Sequence, residues 1–184
     1  MSKKIKTHVL MVAKSFLKGH PRAGEPTDFA KKILNGEKIH TIRGSFENWE
    51  KKVNEVNAGD AILSVRSWTG KPYRTPQETI CEFKKLGIER TSVLKQGNWC
   101  EVVKGYASKS LIALNDGLMR QDFDSWFKEG QDNMALIHFT DFRYCGESEP
   151  IIQTPDGTVV AIEKDFEKRV KDISVRGWEQ IKGH

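Results

Sequence analysis

Lys38, Thr41 and Arg43 lie within six positions of one another, just past Gly36, in the run Asn35-Gly36-Glu37-Lys38-Ile39-His40-Thr41-Ile42-Arg43. An ammonium, a hydroxyl and a guanidinium at this density can line a pocket for something anionic or rich in carbonyl oxygens. Residues two apart on a strand share a face, so Thr41 and Arg43 point the same way. Lys38 would point oppositely in a regular strand. So close to Gly36 it is expected still in the turn, free to swing over the same pocket. The same spacing also fits a solvated rim of ordinary surface charges.

Asn115-Asp116-Gly117 is a second candidate, a carboxylate at a helix break. Such sequences form turns. They can also orient a cation or accept a proton. With Lys38 as base, Thr41 as nucleophile and Asp116 as orienting carboxylate, the three would make a compact acyl-transfer unit. A third group, Arg66, Trp68, Lys71, Tyr73 and Arg74, interleaves cations with rings around an expected hairpin. That is the composition of a single-strand nucleic-acid platform, where bases stack and phosphates meet cations. It equally fits a snorkelling surface hairpin plugged by Trp68. His20, His40 and His138 lack metal-ligand spacing and read as structural; no metal and no cofactor is expected. There is no phosphate-binding glycine loop, no dinucleotide fingerprint and no nucleophile elbow.

The chain that must position these groups has 184 residues, enough to bury a core without disulfides or metals. Its 38% hydrophobic and 30% charged residues describe an ordinary globular protein. A net charge of +5 is compatible with nucleic-acid contact without requiring it. Cys81, Cys100 and Cys145 are odd in number and widely spaced, so free thiols and a cytoplasmic location are expected. The apolar run His8–Ala13 is too short to span a membrane and reads as a first strand.

The pattern predicts a helix capped by Thr27, with Phe29, Ile33 and Leu34 on one stripe and Gly36 ending it. A second helix, capped by Ser45, runs over 46–57 with Trp49, Val53 and Val56 inward. Strands are expected over 61–68, 79–86, 98–103 and 133–144, with Thr69-Gly70 turning into a strand at 71–75. The segment 87–97 is ambiguous. Short helices are expected after Ser108 or Ser110 and after Asp122. The tail reads as a hairpin, 151–153 with 158–162, then an amphipathic helix over 163–173. Short strands interleaved with short helices argue for an α+β fold, a small and mostly antiparallel β-barrel decorated by helices.

Gly36-x-Lys38-x-x-Thr41-x-Arg43, then Gly59-Asp60, then Ala113-x-Asn115-Asp116-Gly117-Leu118, Phe123-x-x-Trp126-Phe127 and Ala135-Leu136-Ile137-His138-Phe139 resemble, in this order, the ASCH domain of the PUA-like superfamily. The resemblance covers roughly 29–142. It implies a PUA-like domain over 1–145, with 146–184 as a C-terminal extension. It also implies a cleft between barrel and helices that accepts RNA or a nucleotide. The superfamily includes a bacterial N4-acetylcytidine amidohydrolase whose proposed catalytic lysine and threonine match Lys38 and Thr41. Its later glutamate aligns with Asp116, one methylene shorter, a difference of about 1.5 Å in reach.

The expected function is therefore recognition of RNA or of a modified nucleotide or nucleoside. Lys38, Thr41 and Asp116 form the candidate catalytic set, and Arg43, Arg66, Trp68, Lys71 and Tyr73 the substrate contacts. The alternative is deacylation of an N4-acylated cytidine. A ribonuclease and a protein-interaction module through the tail helix rank below.

Overall fold

A computed structural model describes residues 5–103, 105–144, 151–153 and 159–161. The chain is α+β, with two mostly antiparallel sheets and short helices. The smaller sheet orders β1 (Lys6–Met11), β3 (Ala61–Trp68) and β4 (Gln77–Phe83) as β1-β3-β4. The β1–β3 pairing is parallel and places Met11 beside Arg66; β3–β4 is antiparallel. The larger sheet runs β2-β8-β5-β6-β7-β10-β9. Its members are β2 (His40–Gly44), β5 (Gly87–Val93), β6 (Trp99–Val102), β7 (Gly105–Ser108), β8 (Gln131–His138), β9 (Ile151–Gln153) and β10 (Val159–Ala161). The two sheets do not close into a barrel: β1 and β2 are each an edge strand.

Among the described residues there are four helices, α1 (Phe29–Leu34), α2 (Phe46–Asn57), α3 (Lys109–Asn115) and α4 (Arg120–Trp126). Phe46, Trp49, Val53 and Val56 recur at helical spacing and form the buried stripe of α2, which packs on β3, β5 and β8. β3 and β8 contribute Leu63, Val65, Leu136 and Ile137 to the core, all within 1% of complete burial. Each such aliphatic side chain stabilises the fold by about 1.5–3 kcal/mol.

Several boundaries differ from those the pattern predicts. Thr27 does not cap α1. It is buried and donates to the Ala13 carbonyl at 2.5 Å, while Asp28 occupies the cap position in the left-handed region without a side-chain bond. Ser45 likewise precedes α2 at φ +63° with no cap bond. Asp122 is not a cap but a buried member of the first turn of α4, held by Arg22 at 2.8 Å. Residues 71–75 are not a strand; they form a loop, and the antiparallel partner of β3 begins at Gln77. The ambiguous 87–97 segment contains β5, whose alternating burial hides Glu89, Thr91 and Val93. Ser108 caps α3 as expected, accepting from the Leu111 amide. The 151–153 and 159–161 hairpin forms, and β10 joins β7 in parallel. The expected helix over 163–173 and Cys145 lie outside the described residues.

Candidate functional site

The site occupies the gap between the two edge strands. Arg43, on β2, donates from Nη2 to the Met11 carbonyl of β1 at 2.7 Å. From Nη1 it donates to Thr41 Oγ1 at 2.9 Å and to the Ile42 carbonyl at 2.7 Å. A guanidinium presents several donors in a fixed fork, so one side chain can bridge two backbones. Beside this bridge opens a cavity of about 260 Å³. Lys38, Thr41, Arg43 and Asp116 supply its polar wall; Phe29, Leu118, Trp126 and Phe127 are among its apolar lining.

Two helix ends bring Lys38 and Asp116 together. At the end of α1, Glu37 N–H bonds the Lys32 carbonyl at 2.8 Å and Gly36 N–H bonds Ile33 at 3.2 Å, with Gly36 at φ +73°. At the end of α3, Leu118 N–H bonds Ala113 at 2.8 Å and Gly117 N–H bonds Leu114 at 3.0 Å, with Gly117 at φ +71°. Both are Schellman closures, which need a left-handed residue just past the helix. Gly117 is required twice over, since a Cβ there would sit 3.2 Å from Lys38 Cβ and 3.1 Å from Lys32 Cδ.

Asp116 thereby becomes the C-terminal cap of α3. Lys38 Nζ donates to its backbone carbonyl at 2.7 Å and also to its carboxylate, and lies 4.4 Å from the centre of the Phe29 ring. Lys32 Nζ caps the adjacent Gly117 carbonyl at 2.8 Å. Two ammonium groups at the negative end of a helix are electrostatically favourable. The shorter carboxylate of Asp116 thus still reaches Lys38.

Burial dominates the site's electrostatics. It lowers the Lys38 pKa to about 8, against the opposing pull of Asp116 and with help from Arg43 and Lys32. Burial also lowers Arg43. For Asp116, burial alone would raise the pKa, but Lys38 and His40 together hold it below the usual carboxylate range. The pair is therefore ionised at neutral pH, and a modest rise in pH frees an amine. Thr41 is buried, and its Oγ1 accepts from Arg43, which leaves its own hydrogen to donate.

The structure thus gathers Lys38, Thr41, Arg43 and Asp116 around one cavity. It does not bring Arg66, Trp68, Lys71 or Tyr73 into it. Arg66 bonds Ser64 Oγ at 2.9 Å, and its register beside Met11 sets it next to the cavity wall. Trp68 and Tyr73 pack ring to ring with centroids 5.2 Å apart. Tyr73 is 91% exposed and sits at φ +62°, and Lys71 is exposed.

Sequence reasoning missed the polar groups behind Asp116. His40 Nε2 lies 2.6 Å from the Tyr144 hydroxyl, and His40 Nδ1 lies 3.6 Å from Asp116 Oδ1. Asn115 Nδ2 donates to the Tyr144 hydroxyl at 3.0 Å. His138 Nε2 lies 2.7 Å from Glu89, which also accepts from the Tyr144 amide at 3.0 Å. A signal existed: His40 shares a strand face with Ile42, and His138 with Leu136, both wholly apolar positions. Among the described residues, no group of three or more His, Cys, Asp or Glu side chains is placed to hold a metal ion. No helix among them is long and apolar enough to cross a membrane. Comparison with protein-family models, with curated proteins and with solved structures finds no match to this chain.

Proposed function

We propose that the protein recognises RNA, or a nucleotide or modified nucleoside, in the cavity between its two sheets. The reading rests on one observation: an ammonium, a hydroxyl and a guanidinium from β2 and the residues leading into it meet a carboxylate from the end of α3 in a cavity of about 260 Å³ walled by aromatic rings. Pockets for small organic ligands are mostly apolar with a few converging polar groups. A nucleobase needs that mixture, rings to stack against and donors and acceptors for its edge. The sequence resemblance to ASCH domains supports the reading, and on it the two sheets correspond to an opened PUA-like barrel working in the cytoplasm.

The Trp68–Tyr73 pair extends the same reading to a polynucleotide. A strand advances about 3.3 Å per residue, so Trp68 stands roughly 7 Å beyond Arg66 along β3. A base leaving the cavity past Met11 would meet the half-buried Trp68 ring and the exposed Tyr73 ring, with Lys71 and Arg74 nearby. Tyr73 holds a left-handed backbone conformation disfavoured for a side chain of its size, and strained backbone concentrates at functional sites.

The test is a binding titration of cytidine, its N4-acetyl derivative, the corresponding monophosphates and a short single-stranded RNA, at low and moderate salt. Saturable binding that Arg43→Ala weakens at least about tenfold is expected, the size of losing one charge-assisted contact. Absence of binding by every probe at low salt refutes the reading.

A second reading, hydrolysis of an N4-acyl group, is favoured by the lowered Lys38 pKa beside the Thr41 hydroxyl. In that reaction Thr41 Oγ1 attacks the acyl carbon and its proton passes to the Lys38 amine. The cytosine amine then leaves with a proton, and water releases the acid. Acetate release rising with pH through about 8, and abolished by Thr41→Ala, is the expected signature.

A further inference from the structure

His40 is wholly buried between the cavity wall and a second layer of polar groups. Its surroundings are Asp116 and Lys38 on one side, and Tyr144 and His138 on the other; the His138 ring meets it edge-on, centroids 5.5 Å apart. The hydrogens of this cluster can be assigned by elimination. The Tyr144 oxygen accepts from Asn115 Nδ2 at 3.0 Å, since an amide nitrogen can only donate. Burial holds the Tyr144 pKa well above its ordinary value, so the phenol keeps its own hydrogen. That hydrogen has His40 Nε2 at 2.6 Å to receive it. A neutral imidazole carries one hydrogen, so when Nε2 accepts, Nδ1 must bear it. Nδ1 faces Asp116 Oδ1 at 3.6 Å, longer than a hydrogen bond, and among the described residues it has no hydrogen-bond partner, so its N–H acts on the carboxylate as a buried dipole.

We propose that His40 is a positioning residue: Tyr144 and Asn115 lock its ring in the Nδ1–H form, and that hydrogen aims the Asp116 carboxylate at the Lys38 ammonium. Glu89 completes the support, since it takes the Tyr144 amide at 3.0 Å and so fixes where the phenol stands. The inference rests on the nucleotide reading only for its purpose, a cavity whose ion pair is set before a ligand arrives. Preorganised charge is the usual means by which a buried site gains strength over water. His40, Asn115, Tyr144 and Glu89 do not themselves line the cavity; they bear on it through Asp116.

The experiment follows the Lys38 titration by NMR on the full, ligand-free chain labelled at lysine. The charged and titratable groups facing Lys38 are Asp116, His40, Arg43 and Lys32, and all remain in the variants below except the one replaced. Tyr144→Phe removes one oxygen and frees the ring to change tautomer. His40→Gln places an amide where Nε2 stands, and His40→Asn places its amide N–H where Nδ1 stands. If the carboxylate is aimed by the Nδ1 hydrogen, Tyr144→Phe and His40→Gln each lower the Lys38 midpoint by about half a pH unit or more, while His40→Asn keeps it. Equal shifts for His40→Gln and His40→Asn, or no shift in any variant, overturn the proposal. If Tyr144→Phe does not fold, the His40 pair decides alone. A chain that binds no nucleotide and still separates His40→Asn from His40→Gln refutes the functional reading and leaves this one standing.

Discussion

The cavity and the 66–77 end of the smaller sheet both carry cations beside aromatic rings, yet they are built by opposite rules. In the cavity, Lys38 and Asp116 are almost wholly removed from water and each meets several partners. At the sheet end, Tyr73 is 91% exposed and Lys71 stands in solvent. Charges in a low-dielectric interior act strongly and are little screened, but only a ligand that enters the cavity meets them, so they discriminate between ligands. Charges in solvent are screened within about 8–10 Å and act on any polyanion. On the proposed reading, the first region selects one base and the second holds the rest of a strand.

The largest test of this contrast is stability. Lys38→Met leaves the Asp116 carboxylate buried without its ammonium and is expected to cost about 3–5 kcal/mol. Adding Asp116→Asn removes the stranded charge and should recover most of that loss. Denaturant unfolding of the two variants measures both. Equal destabilisation by single and double variants would show that the pair contributes packing and not charge.

Acid gives the next effect. Burial lowers the His40 pKa from 6.5 to about 4, so the unfolded chain binds a proton that the folded chain refuses. The stability tied to neutral His40 is complete above pH 6.5 and is lost as pH falls toward 4. The full loss is about 3 kcal/mol for a shift of this size. Thermal unfolding between pH 7 and 4 should show it, and His40→Asn should flatten that part of the profile. The 66–77 loop contributes nothing to this slope.

The two regions were also unequally legible from sequence. The exposed one announces itself through composition, with Arg66, Trp68, Lys71, Tyr73 and Arg74 crowded into nine positions. Its local structure was harder to read: Thr69-Gly70 suggested a tight hairpin, but the chain runs to Pro76 before pairing again, the Thr69 amide bonding the Pro76 carbonyl at 3.0 Å. For the cavity, local pattern marked Lys38, Thr41 and Arg43 because they are neighbours in sequence. It also found Gly36 and Gly117, whose left-handed conformations follow from their place after helices. What it did not supply was the partner set. Tyr144 lies 104 positions from His40, and no periodicity relates them. A strand face with a histidine among apolar residues is a clue that something polar waits opposite, but not which residue. The open edge between β1 and β2 was equally hidden, since strand order depends on pairings far apart in the chain.

The finest distinction lies at Tyr73, where the two regions predict opposite signs. A non-glycine residue at φ +62° carries a conformational cost, so Tyr73→Gly should leave stability unchanged or raise it by up to about 1 kcal/mol. If the ring is a stacking surface, the same change weakens single-stranded RNA binding by about 1–3 kcal/mol. Lys71→Ala, which alters charge and no ring, should instead reduce the salt dependence of binding by about one unit of slope. Filter binding or fluorescence anisotropy over a salt series reads both. The cavity variant Arg43→Ala should lower affinity at every salt concentration, because its half-buried guanidinium is less screened than the exposed loop cations. A Tyr73→Gly protein that gains stability and keeps full RNA affinity would remove the exposed Tyr73 ring from the binding surface. Recognition would then rest on the cavity alone, with a mononucleotide or nucleoside as the occupant that its volume fits.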